Sequence, residues 1–137
     1  METFKSKSKD TKVLKLKAIL IGIEFVNTGS STLDINLKEL NGLAETAHYN
    51  VISIVSQKLT RINPKSFIGK GKVEEVSQLI CQFSADIVIF DENLSPAQNR
   101  NLENIFKCRV IDRSWLILEI FGNHARTREA KAQVELA

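Results

Sequence analysis

The residues best suited to chemistry form a short glycine–lysine run, Ile68-Gly69-Lys70-Gly71-Lys72-Val73. Two glycines let a backbone turn tightly into a helix, and lysines beside the positive helix end suit phosphate oxygens, including those of RNA. Gly69, Lys70, Gly71 and Lys72 are therefore candidate anion contacts; the plainer reading is a glycine-rich helix start with solvated lysines. The run is not a P-loop, since GxxxxGK[ST] occurs nowhere in the chain. A second candidate pairs the loop Asn27-Thr28-Gly29-Ser30-Ser31-Thr32 with the loop Asp91-Glu92-Asn93-Leu94. Gly29, Ser30, Ser31 and Thr32 offer backbone and hydroxyl donors to a phosphate, and with Asp91 and Glu92 would make the chain a small nucleotide-binding module. The first loop lacks GxGxxG, so a plain linker explains it as well.

Asp91, Glu92 and Asp112 bring three carboxylates to one edge, where paired acids can hold a metal or divide acid and base work. No histidine or lysine accompanies them in sequence, so helix capping and solvation account for them, and no metal site is expected. His48 and His124 are far apart, and Cys81 and Cys108 lack a CxxC spacing. The cysteines read as reduced thiols serving as small apolar residues. No serine–histidine or cysteine–histidine arrangement is present. No catalytic residue is expected in this chain.

The elements that must position these groups alternate in type. Ala18–Val26 is a short, nearly continuous apolar run, as in a strand covered on both faces. Leu33, Leu37, Leu40, Ala44 and Ala47 then recur at helical spacing over 33–49. Asn50–Thr60 returns to strand character, and Val73, Val76, Leu79, Ile80 and Phe83 mark one stripe of a second helix. Asp86–Phe90 is a third strand. Ser95-Pro96-Ala97-Gln98 spells a helix start, with serine at the cap, proline at the first helical position and glutamine reaching back. Leu102, Ile105 and Phe106 supply that helix's buried face. Arg109–Ile111 is a fourth strand, and Asp112 can cap a helix through Trp115, Leu116, Leu118, Ile120 and Phe121.

Fourfold strand–helix alternation predicts an α/β fold: a small parallel sheet with helices on both faces, in the flavodoxin-like order 2-1-3-4. A final helix begins near Thr127 with a thin apolar stripe of Ala130, Val134 and Ala137. It needs a partner, and no later segment supplies one.

Composition sets the outer bounds. The 137 residues are 43% hydrophobic and 26% charged, ordinary values for one globular domain. Lys5, Lys7, Lys9, Lys12, Lys15 and Lys17 against Glu2 and Asp10 give residues 1–17 a charge of +4, so the net +3 leaves the remainder at −1. The basic character belongs to the tail, expected to be solvated and disordered, with non-specific RNA or anionic-membrane binding as the functional alternative. No secretory signal is visible, and no stretch of about 18 apolar residues could span a membrane.

Four stretches together resemble the HflX family of ribosome-associated GTPases. They are 39–47 (ELNGLAETA), 67–75 (FIGKGKVEE), 90–103 (FDENLSPAQNRNLE), and a fourth set running from Val110-Ile111-Asp112-Arg113 through 116–121 (LILEIF) to 125–129 (ARTRE) and 133–137 (QVELA). They follow the family's order and spacing over residues 18–137. The resemblance implies an N-terminal α/β domain over 18–125, the start of a helical hairpin over 126–137, and beyond it a Ras-like G domain carrying GTP and magnesium. It further implies a cytoplasmic protein that binds the large ribosomal subunit and its rRNA and acts on stalled or stressed ribosomes. This chain is then a docking and regulatory module, monomeric, without catalysis of its own, whose other partner is its own G domain. Arg126 and Arg128 join Gly69, Lys70, Gly71 and Lys72 as rRNA contact candidates. Residues 1–17 precede the usual family start, Gly122-Asn123-His124 depart from its common pattern, and so do Ala130 and Ala132 at the hairpin.

Overall fold

The computed structural model describes residues 15–26 and 32–122. Four strands, β1 (Lys17–Phe25), β2 (Asn50–Leu59), β3 (Ile87–Phe90) and β4 (Arg109–Asp112), alternate with three helices, α1 (Leu33–Thr46), α2 (Lys70–Phe83) and α3 (Pro96–Phe106). A fourth helix, α4, covers residues 113–122. All strand pairs are parallel, in the order β2-β1-β3-β4 that the alternation predicts.

The apolar run of β1 is explained by its place between β2 and β3, with Ala18, Ile19, Leu20 and Ile21 fully buried. Successive side chains of a strand point to opposite faces. Ile19, Ile21 and Ile23 therefore join Val88, Phe90 and Val110 under Val73 and Val76 of α2 and Leu102 and Phe106 of α3. Ala18 and Leu20 join Ile87, Ile89 and Ile111 under Leu37, Leu40 and Ala44 of α1 and Leu116 of α4. Gly22 lies where α1 comes closest: a Cβ built there would sit 2.7 Å from Leu37 Cδ2 and 2.8 Å from Leu33 Cδ1.

Local signals mostly hold. Ser95 Oγ accepts from the Gln98 N–H and Gln98 Oε1 accepts from the Ser95 N–H, closing the expected capping box. Asp112 Oδ1 accepts from the Trp115 N–H at 2.9 Å, capping α4. Two expectations about burial fail. Phe83 and Ile105 are largely exposed, because Phe83 ends its helix and Ile105 sits on the flank of the Leu102–Phe106 stripe. The edge of β4 is closed by α3: Glu103 accepts from the Val110 N–H and the Asn99 amide donates to the Val110 carbonyl. Those bonds occupy backbone groups that would otherwise invite a foreign strand.

At the amino end of the strands α4 is tied down by charge. The Tyr49 hydroxyl donates to Glu119 at 2.7 Å, and Arg109 donates to the other Glu119 oxygen at 2.7 Å. Burial, with the Glu119 carboxylate beside it, pushes the Tyr49 phenol up to about 12.

Two expectations follow. Gly22→Ala should lower unfolding free energy by about 1–3 kcal/mol through overpacking against α1, read by urea unfolding; an unchanged midpoint would show that the leucines yield freely. Tyr49 is the only tyrosine, so alkaline difference absorbance reads it alone. Its folded-state pKa lies above the unfolded one, so this contribution to stability is complete below pH ~10 and is lost as pH rises towards 12. Ionisation near 10 in the folded chain would contradict the Glu119 contact.

Candidate anion interface at the carboxyl edge of the sheet

The carboxyl ends of the strands carry two kinds of loop, and the physical difference between them separates the two candidate sites. The β2–α2 connection is compact and basic. Asn63 Oδ1 accepts from the N–H groups of Lys65 and Ser66, and Asn63 and Phe67 exchange backbone hydrogen bonds. Phe67 adopts a left-handed conformation (φ 66°) while buried edge-on against the Phe90 ring, 6.2 Å between centroids. Such a backbone persists only where its surroundings fix it. Gln98 Nε2 donates to the Asn63 carbonyl, Asn101 Nδ2 to the Lys65 carbonyl, and the Gly69 N–H to Gln57 Oε1. The loop is held from α3 and β2 at once.

This rigid connection delivers Gly69 to the N-cap of α2, extended (φ −71°, ψ 162°) and with no side chain capping the helix. The first turn thus presents backbone N–H groups that no side-chain cap occupies. Of the two lysines singled out by the sequence, Lys72 is committed to Glu75 at 2.9 Å. Lys70 is exposed and makes no hydrogen bond or ion pair among the described residues. The same connection adds Arg61 and Lys65, both exposed. Spacing alone misses them, because the turn that carries Lys65 is built by Asn63 and held by Gln98, polar residues with no sequence signature. Arg126 and Arg128 lie outside the described residues.

The second candidate site is differently occupied. Gly29, Ser30 and Ser31 lie outside the described residues, and the Thr32 hydroxyl accepts from Asn36 at 3.2 Å. Asp91 is buried and receives Arg113 Nε and Nη2 on one oxygen at 2.8 and 2.7 Å. Arg113 also donates to the Asn36 carbonyl at 3.0 Å and approaches Glu39 at 3.5 Å, joining α4 and α1 to the loop after β3. Asp112 Oδ2 accepts from the Leu94 N–H, and Ser114 donates to Asn93. Burial and the neighbouring Asp91 carboxylate raise Glu92 above ordinary glutamate, against the pull of Arg113. The acidic edge is therefore an internal clasp centred on Arg113, a residue the charge pattern did not mark out. Among the described residues no three His, Cys, Asp or Glu side chains gather to hold a metal. Burial, then Asp86 and Glu103, push the Cys108 thiol up to about 11, which keeps it protonated and unreactive at neutral pH.

A four-stranded parallel sheet in the order β2-β1-β3-β4, with helices on both faces, makes this an α/β domain. Similarity to known proteins places it among the N-terminal domains of GTP-binding proteins. A family profile described as "GTP-binding GTPase N-terminal" matches residues 34–122. The GTPase HflX of Flavobacterium psychrophilum is 40% identical over 121 residues, covering 88% of this chain and 29% of that protein. GTPase HflX of Escherichia coli K12 is 41% identical over 121 residues, covering 88% and 28%. Among solved structures, a crystal structure of SsGBP with GDP superposes with a TM-score of 0.64 at 28% identity, covering 88% of this chain and 33% of that one. A GTP-binding protein of Sulfolobus solfataricus with GDP shares the fold at a TM-score of 0.57 over 77% of this chain. The chain belongs to this family of GTPase N-terminal domains, as the N-terminal domain of an HflX-type GTPase. It spans less than a third of the length of the HflX relatives it matches.

The clasp is open to direct test. Arg113→Met leaves the Asp91 carboxylate buried and unpaired, and should lower stability by about 3–5 kcal/mol. Combining it with Asp91→Asn should restore part of that loss in urea unfolding; equal, small effects of the single and double variants would show that the pair is not coupled.

Proposed function

We propose that this domain docks an HflX-type GTPase on the large ribosomal subunit through phosphate contacts at the start of α2. The observation that supports the reading is the uncapped first turn of α2 beside Lys70, exposed and without an ion pair among the described residues, on a loop tied to both α3 and β2. Backbone N–H groups at a helix start and a cation on a stiff support bind an anionic oxygen without the entropy loss of ordering a loop. Gly69 and Gly71 leave the backbone open to close approach, and Gly71 has nothing within 4 Å of where a Cβ would stand. Lys72 shares its charge with Glu75, so Lys70 is the stronger contact, and Arg61 and Lys65 extend the basic surface. Arg126 and Arg128, which lie outside the described residues, remain further contact candidates in this reading.

The sequence contains no GxxxxGK[ST], and at the carboxyl edge Asp91 is paired with Arg113 while Asp112 accepts from backbone N–H groups. Nucleotide chemistry in this proposal belongs to a G domain, and the domain described here positions it on the ribosome in the cytoplasm. No helix among the described residues is long and apolar enough to cross a membrane.

Binding carried by phosphate contacts weakens as salt rises, by about one unit of logarithmic slope for each contact. Co-sedimentation with large subunits should show this dependence, and Lys70→Glu should reduce both the affinity and the slope, more than Lys72→Glu does. Absent binding at low salt, or binding indifferent to salt, would overturn the proposal.

A further inference from the structure

The outer edge of β4 forms the floor of a groove between α3 and α4, about 530 Å³ in volume. That is the size of a small-ligand site. Val110 and Ile111 supply an apolar floor, Pro96 and Arg100 stand on the α3 side, and Trp115 on the α4 side. Trp115 is 51% exposed and makes no ring contact among the described residues. It opens the outward apolar face of α4, where Ile117, Leu118 and Phe121 are exposed too. Its backbone N–H is held by Asp112, which fixes its place at the groove.

The charges lining the groove are unequally committed. Arg109 donates to Glu119, and both Asp112 oxygens accept from backbone N–H groups. Glu103 Oε2 accepts from the Val110 N–H. Of these four charged residues only Arg100 is exposed with no hydrogen bond or ion pair among the described residues.

These parts suit one kind of occupant. An extended peptide would join β4 through main-chain hydrogen bonds, but Glu103 and Asn99 already take both Val110 groups. A docking helix needs a continuous apolar groove, and this one is broken by Arg100, Glu103 and Asp112. A nucleic-acid base needs less: one ring to stack on, polar groups to meet its edge, and a cation for its phosphate. Bases within a duplex are already stacked and paired, so the groove admits only an unpaired, splayed one. Position adds continuity with the basic loop. Gln98 and Asn101 of α3 hold the Asn63 and Lys65 carbonyls on one flank, while Arg100 and Glu103 line the groove on another. A helix is about 10–12 Å across with its side chains. An RNA strand with phosphates at Lys65 and Lys70 has only that width to cross before it reaches Trp115.

We propose that the α3–α4 groove binds an unpaired RNA base, stacked on Trp115 with its phosphate on Arg100. The choice of RNA rests on the phosphate docking proposed for α2; the groove and its ring stand apart from it.

Trp115 is the only tryptophan, so its emission reads the groove without a label. In the full chain at low salt, a saturating short oligouridylate should quench that emission several-fold more than an abasic strand of equal length, which carries the phosphates without the bases. Trp115→Ala should weaken binding of the labelled oligouridylate about 5- to 150-fold with the salt slope kept, and Trp115→Phe should retain most of the affinity. Arg100→Ala should lower the salt slope by about one. Emission unmoved by the saturating oligouridylate, or quenched equally by the abasic strand, overturns the proposal. Quenching by large subunits with the oligouridylate inert also overturns it and assigns the groove to a protein. Salt-dependent co-sedimentation with Trp115 unquenched by the oligouridylate sinks only the base site, whereas quenching without co-sedimentation sinks only the docking.

Discussion

Strand β1 depends on neighbours for every backbone group it carries, because no water reaches Ala18–Ile21 from either face. An unpaired buried N–H or carbonyl is costly, and the parallel ladders to β2 on one side and β3 on the other satisfy the groups along this stretch. The rest of the architecture follows from that central placement. Strand order reverses between β1 and β3, which puts α1 and α4 on one face and α2 and α3 on the other. Gly22 is the point of closest approach, where the absence of a side chain lets Leu33 and Leu37 press α1 onto the sheet.

The same reversal separates the loops at the carboxyl edge. Two neighbouring loops of one sheet edge carry opposite charge and opposite degrees of internal commitment. On the β3–β4 side the carboxylates of Asp91 and Asp112 are consumed by Arg113 and by backbone N–H groups, so that charge serves to lock α4 and α1 to the sheet. On the β2–α2 side the polar residues Asn63, Gln57 and Gln98 do the locking, and Lys70, Arg61 and Lys65 are left facing water. Uncharged amides tie the loop while its cations stay exposed.

Helix α4 concentrates the remaining tension in the structure. Its polar anchors, Asp112 at the start, Arg113 to Asp91 and Glu119 to Tyr49 and Arg109, hold it firmly although only Leu116 is fully buried among its side chains. Directional bonds thus fix its rotation and leave the outward apolar face in a defined place.

Periodicity and capping chemistry are local properties, and they were readable directly: the strand–helix alternation and the Ser95–Gln98 and Asp112 caps rest on residues within a few positions of one another, and the parallel α/β class and the order 2-1-3-4 follow from that alternation by fold-level rules. The family signature over 39–137 was equally a property of the chain. Long-range pairing was not. Nothing in the sequence says that Arg113 would reach Asp91 and the Asn36 carbonyl or that Tyr49 would find Glu119, because each depends on distances set only when separate helices meet one sheet. Phe83 and Ile105 show the same limit from the apolar side: helical spacing ranks faces, but only packing decides how wide the buried stripe is.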